Sequence, residues 1–124
     1  MKKLRDNRRR YFTTDMMWGE GQITPHIQDM FPFRLAERDV EQRSSLPCWT
    51  WCQKNLGEQA LLRCGEARYG VQAWRLHPRR KWLRFQMYYE SPDPRLSMGV
   101  PPWVYRFKDL SDATMFKLIF GEYL

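Results

Sequence analysis

Residues Lys81–Glu90, KWLRFQMYYE, alternate with period two, the pattern of a half-buried β-strand. One face carries Leu83, Phe85, Met87 and Tyr89, apolar enough for a core, and the other carries Trp82, Arg84, Gln86 and Tyr88. A solvent face is ordinarily small and polar. Trp and Tyr interleaved with Arg suit a surface that meets something flat or anionic. The rest of the chain reads as what this strand pairs with and packs on.

Further strands are expected over Ala60–Cys64, Arg68–His77 and Trp103–Phe107. Gly65-Glu66 marks one turn, and Pro78-Arg79-Arg80 folds the second strand into the third as a hairpin. Ser91–Pro102 holds four prolines and a glycine and is expected as a long loop, a class that is often functional. Three helices are expected. A short one starts at Pro32, with Phe33, Ala36 and Val40 on one face. Another runs from Leu46 to Leu56 behind Ser44-Ser45, with Pro47 in its first turn and Gly57 after its end. Its buried face comprises Cys48, Trp51 or Cys52, and Asn55 or Leu56. The last follows Asp109 as N-cap, with Asp112 in its first turn and Gly121 as its stop. Ala113, Phe116 and Phe120 form its apolar stripe, widened by Met115, Leu118 and Ile119.

The expected fold is therefore α+β: a single small domain with an antiparallel sheet of three or four strands and helices on one face, ferredoxin-like or related. At 124 residues, one domain can bury a core without staples. Residues 32–124 are expected to form it. Residues 1–31 are expected as a basic, aromatic N-terminal arm: MKKLRDNRRR has no face to bury, and 11–31 shows no sustained periodicity.

The net charge of +7 is unevenly spread. Residues 1–10 carry six cations against Asp6, net +5; residues 11–45 are net −3; residues 63–84 carry seven cations against Glu66, net +6. Two basic patches flanking an acidic stretch suit nucleic acid or an acidic protein or nucleoprotein complex. Arg dominates both, and Arg forks onto phosphate and stacks on rings better than Lys. The basic start is not followed by an apolar run, so no secretory signal is expected, and no stretch is long and apolar enough to span a membrane. Three cysteines make an odd count for a disulfide framework, so the expected setting is intracellular, in a host cytoplasm, or a virion.

The tail Trp103–Gly121 resembles small phage-encoded proteins, through Phe107, Asp109, Asp112, Ala113, Phe116, Lys117, Leu118 and Gly121. The pattern covers about a sixth of the chain, departs at Tyr105 where a Phe would stand, and reads as a strand–cap–helix signature. The resemblance implies a phage or mobile-element origin and carries no site residues. The same tail is similar to the last strand and helix of ferredoxin-like domains, including RNA-recognition domains, but Lys81–Tyr89 lacks their ribonucleoprotein consensus.

Catalysis finds little footing. His26 and His77 lack a neighbouring nucleophile pattern, and the seven glycines form no phosphate loop. Cys48 and Cys52 share a helix face and, with Cys64 and His77, allow a Cys₃His set, but the spacing departs from known zinc knuckles. Two small apolar thiols in a core is the simpler reading. No enzyme activity, metal or cofactor is expected. Binding is: nucleic acid, single-stranded by preference, held by Arg75, Arg79, Arg80, Lys81 and Arg84, with Trp82 and Tyr88 for stacking and Arg8, Arg9 and Arg10 adding charge from the arm. The alternative is protein assembly, as a virion component or an inhibitor of a host complex, through the aromatic arm, with homo-oligomers compatible.

Overall fold

A computed structural model describes residues 16–18, 25–38, 45–63, 72–90 and 102–124. The strand expected at 81–90 is present as β5 (Trp82–Gln86) and runs into a 3₁₀ turn over Met87–Tyr89. The last strand, β6 (Trp103–Phe107), and the last helix, α3 (Leu110–Phe120), fall where the cap and stripe place them. So does α2 (Ser45–Leu56), which ends at Gly57 with φ +87°, a left-handed conformation that glycine adopts without strain.

The chain is α+β, and among the described residues its strands form two antiparallel sheets of three. In the first, β4 (Gln72–Leu76) lies between β1 (Met16–Trp18) and β3 (Leu61–Arg63). In the second, β6 lies between β5 and β2 (Phe33–Ala36). The second sheet is covered twice. Its Trp82, Tyr105 and Phe107 face α2 and α3, where they pack with Cys48, Cys52, Ala113, Phe116 and Phe120. Its Leu83, Phe85 and Val104 face the first sheet and a short helix α1 (Pro25–Met30), packing with Ile27, Phe31, Leu61, Trp74 and Leu76. Period-two alternation in β5 thus marks two cores on the two sides of one sheet, as in strands buried on both faces.

Three expectations are corrected. The segment from Pro32 is a strand, not a helix. Phe33, Leu35 and Ala36 fit either periodicity, and pairing decides: Phe33 sits opposite Phe107 and Leu35 opposite Tyr105 at the free side of β6. The core also reaches further toward the N-terminus than residue 32. Ile27 and Phe31 are fully buried one helical turn apart, and Met16–Trp18 pairs with β4; residues 1–15 and 19–24 lie outside the described residues. Finally, β4 and β5 are not a hairpin. β4 is already paired on both sides, so the chain crosses at 77–81 from one sheet to the other.

That corner is tightly held. The His77 N–H donates to Ala60 O at 2.7 Å, the Ala60 N–H donates to Trp82 O at 2.7 Å, and the Lys108 N–H donates to Lys81 O at 3.1 Å. The Lys108 ammonium reaches Pro78 O and lies over the Phe31 ring. On α3, Ala113, Phe116 and Phe120 are buried, but Met115, Leu118 and Ile119 are exposed, so the apolar stripe is narrower than its sequence suggests. The Asp109 side chain makes no capping hydrogen bond, and Gly121 continues into a 3₁₀ turn, Gly121–Tyr123, in place of a left-handed stop. Among the described residues no helix is long and apolar enough to cross a membrane.

Candidate nucleic-acid interface

A hydrogen bond from Ala60 N–H to Trp82 O joins the start of β3, an edge of the first sheet, to β5, an edge of the second. From that point the two strands part, and a cleft of about 470 Å³ opens between them. Gln59 stands at its apex. Leu62 and Arg63 form one wall, and Arg84, Gln86 and Trp103 the other. Leu61 and Trp74, both buried, close the floor.

Each wall carries a cation laid on an indole. The Arg63 guanidinium lies 5.4 Å from the centroid of Trp74, its cross-strand partner. The Arg84 guanidinium lies 3.9 Å from Trp103 and 5.8 Å from Trp49 of α2, and it donates to the Tyr105 hydroxyl at 3.4 Å. Stacking fixes a long side chain without removing its charge, so these arginines are preorganised for an anion at lower entropic cost than free ones. The Tyr105 hydroxyl is pushed well above its ordinary value by burial, against the pull of Arg84, and remains a neutral acceptor. Gln59 Oε1 is buried with no hydrogen-bond partner among the described residues.

The residues expected to bind separate into groups. Arg79 and Lys81 are exposed at the corner. Arg75 is exposed on the outer face of β4, opposite Leu62 of the cleft wall. Arg80 is half-buried and holds the corner in place: its guanidinium donates to Gln59 O at 3.0 Å and pairs with Glu58 at 2.9 Å. Arg84 lies in the cleft wall. Trp82 does not join them. It is fully buried, stacked on Tyr105 with ring centroids 6.3 Å apart, and its indole N–H donates to Gly57 O at 2.7 Å. Its strand face also carries Arg84, which is why the sequence points to a binding surface there, yet α2 covers that end of the strand. The Tyr88 side chain and the arm residues Arg8, Arg9 and Arg10 lie outside the described residues.

Gln86 lies on the strand face that the sequence marks for binding and Arg63 opens the 63–84 basic patch, whereas Gln59 and Trp103 carry no such mark. Gln86 and Trp103 are cross-strand partners at the end of the second sheet, and an aromatic at the first position after Pro101-Pro102 was the available signal for Trp103. Nothing local marks Gln59, and nothing local places Arg63 beside Arg84, because two edges distant in sequence bring them to one cleft.

The other candidate chemistry recedes. Cys48 and Cys52 are fully buried in the helix-facing core, and burial with the neighbouring Cys48 sulfur pushes the Cys52 thiol up, away from the thiolate a metal or nucleophile needs. Cys64 lies outside the described residues. His77 sits half-buried at the corner, its pKa lowered by burial and by Arg80 and Arg75. Among the described residues, those lining the cleft are amides, arginines, leucines and indoles, groups suited to binding. No family model, curated protein or solved structure matches this chain.

Proposed function

We propose that the protein is a non-enzymatic binding protein of phage or mobile-element origin that holds single-stranded nucleic acid along a cationic band leading into the inter-sheet cleft. The observation that carries this reading is the pair of indole-stacked arginines, Arg63 and Arg84, facing one cleft from opposite sheets. Arg75 lies across the strand pair from the cleft wall, and Arg79 and Lys81 stand on the corner that Arg80 ties to the cleft apex. Exposed cations beside aromatic and amide groups suit a flexible polyanion: phosphates supply affinity, and rings and amides supply contact with bases.

The test is fluorescence anisotropy of a labelled single-stranded oligonucleotide across a salt series. The parent protein should bind at low salt and weaken steeply as salt rises. Arg79→Glu with Lys81→Glu should keep the parent melting temperature, because both side chains are exposed, and reduce the salt slope by about one to two units. Removing residues 1–10 should flatten the slope further, through the charge of the arm. A parent that shows no binding at low salt refutes the reading.

One observation favours a second reading, protein assembly. The outer face of α3 exposes Leu110, Met115, Leu118 and Ile119, two of them by more than 60%. An aromatic or apolar protein interface would survive nuclease and moderate salt, where a nucleic-acid complex would not.

A further inference from the structure

We infer that the cleft between the parted edges of β3 and β5 seats one nucleotide of the bound strand, its base read by two primary amides and its phosphate held between Arg63 and Arg84. This rests on the nucleic-acid reading and adds to it a site for a base, where the exposed cations alone would track only the backbone.

The cleft's volume of about 470 Å³ lies within the range that small-ligand sites occupy, roughly 300–1,000 Å³. Its lining divides by chemistry. Leu61, Leu62 and the Trp74 indole give an apolar floor and side, which an inorganic anion cannot use. Gln59 and Gln86 place a primary amide at the apex and on the far wall. A primary amide both donates and accepts, which is what the edge of a base requires. The two guanidiniums are pinned over Trp74 and Trp103 from opposite walls. A flat, hydrogen-bonding ring attached to an anion uses all three parts of this lining. An acidic peptide uses the cations and leaves the amides and floor idle. Among the described residues, the cleft lining holds no carboxylate for a divalent cation.

The probe is adenosine 5′-monophosphate, titrated into the full chain and followed by NMR through the indole N–H signals of Trp74 and Trp103 and the side-chain amides of Gln59 and Gln86. Inorganic phosphate and a hexaglutamate peptide serve as controls. Saturable shifts at all four groups with the nucleotide, and weaker ones with phosphate, are expected. Leu62→Glu, at a residue already exposed on the cleft wall, should abolish them, and Arg63→Met should weaken binding about tenfold. Arg79→Glu with Lys81→Glu should leave mononucleotide binding unchanged while lowering oligonucleotide affinity, because the corner lies outside the cleft. Equal responses to nucleotide and phosphate, or a response to hexaglutamate alone, would overturn the inference. So would oligonucleotide binding with a normal salt slope that is indifferent to Leu62→Glu and Arg63→Met, an outcome that leaves the wider function standing. Loss of oligonucleotide binding alone, with the nucleotide shifts kept, would count against the wider function only.

Discussion

The helix-facing core and the inter-sheet cleft are built from the same residue types and end in opposite states. In the core, Phe116 lies 4.9 Å from Tyr105 and 5.1 Å from both Phe107 and Phe120, ring centroid to centroid, and Trp82 has its one polar atom satisfied by Gly57 O. In the cleft, the aromatic rings meet arginine instead: Arg63 on Trp74 and Arg84 on Trp103. Trp82 and Arg84 are two residues apart on one face of one strand, yet one is sealed and the other lines an opening. Tryptophan and arginine on a strand are therefore not in themselves a binding surface. What separates the two ends is whether a helix covers them or a neighbouring edge leaves them open.

The largest effect that would break this comparison concerns the sealed side. Phe116→Ala should destabilise the protein by about 3–5 kcal/mol, the usual cost of emptying a buried phenyl site. Chemical denaturation would measure it, and a loss below about 1 kcal/mol would mean that the helix layer is not a closed core. Trp82→Phe tests the same side through a single atom. It removes the donor to Gly57 O and should cost about 1–3 kcal/mol, leaving the salt slope of oligonucleotide binding unchanged. Weakened binding at unchanged stability would instead place Trp82 within reach of a ligand.

The two stacked arginines sharpen the comparison from the open side. Arg84→Met keeps an apolar stem and removes the charge. It should cost about 0.5–1 kcal/mol, since Arg84 bridges Trp103 and Trp49 of α2. Arg63→Met should leave the melting temperature nearly unchanged, because Arg63 is exposed at a sheet edge. Equal losses in the two variants would mean that Arg63 is as structural as Arg84.

The smallest effect is at the corner. Burial, Arg80 and Arg75 hold His77 below its ordinary value, so the fold disfavours its charged form. Its contribution to stability is then complete above the unfolded value of 6.5 and is lost as pH falls through 6.5 toward the lower folded value. Melting temperature should therefore decline slightly on acidification through that window, and His77→Gln should remove the decline. A parent that gains stability over the same window would show that His77 is stabilised as a cation.

Much of the fold was legible in the residues themselves. The Ala113, Phe116 and Phe120 stripe, the alternation in Trp82–Gln86 and the Gly57 stop are local signals, and each appears where the spacing places it. Of the residues expected to bind, the exposure of Arg79 and Lys81 was legible, since a corner between strands contributes little burial. The strand at Phe33–Ala36 was not, because four residues satisfy both periods and only the free side of β6 decides between them.

By itself, then, the sequence determined that the stretches around 45–57, 82–86 and 103–120 are regular, which of their faces are apolar and where the positive charge lies. These follow from side-chain spacing, caps and charge within a few residues of one another. Tertiary structure decided which strands pair, and so that β4 and β5 belong to different sheets and that β3 and β5 part beyond Ala60. It also decided that the Trp82 end of one face is roofed by a helix, while Arg84, farther along that face, lines a cleft with Arg63. Pairing and covering are contacts between residues far apart in the chain, and local preferences do not specify them: a strand with two apolar faces carries no mark of what will lie against each.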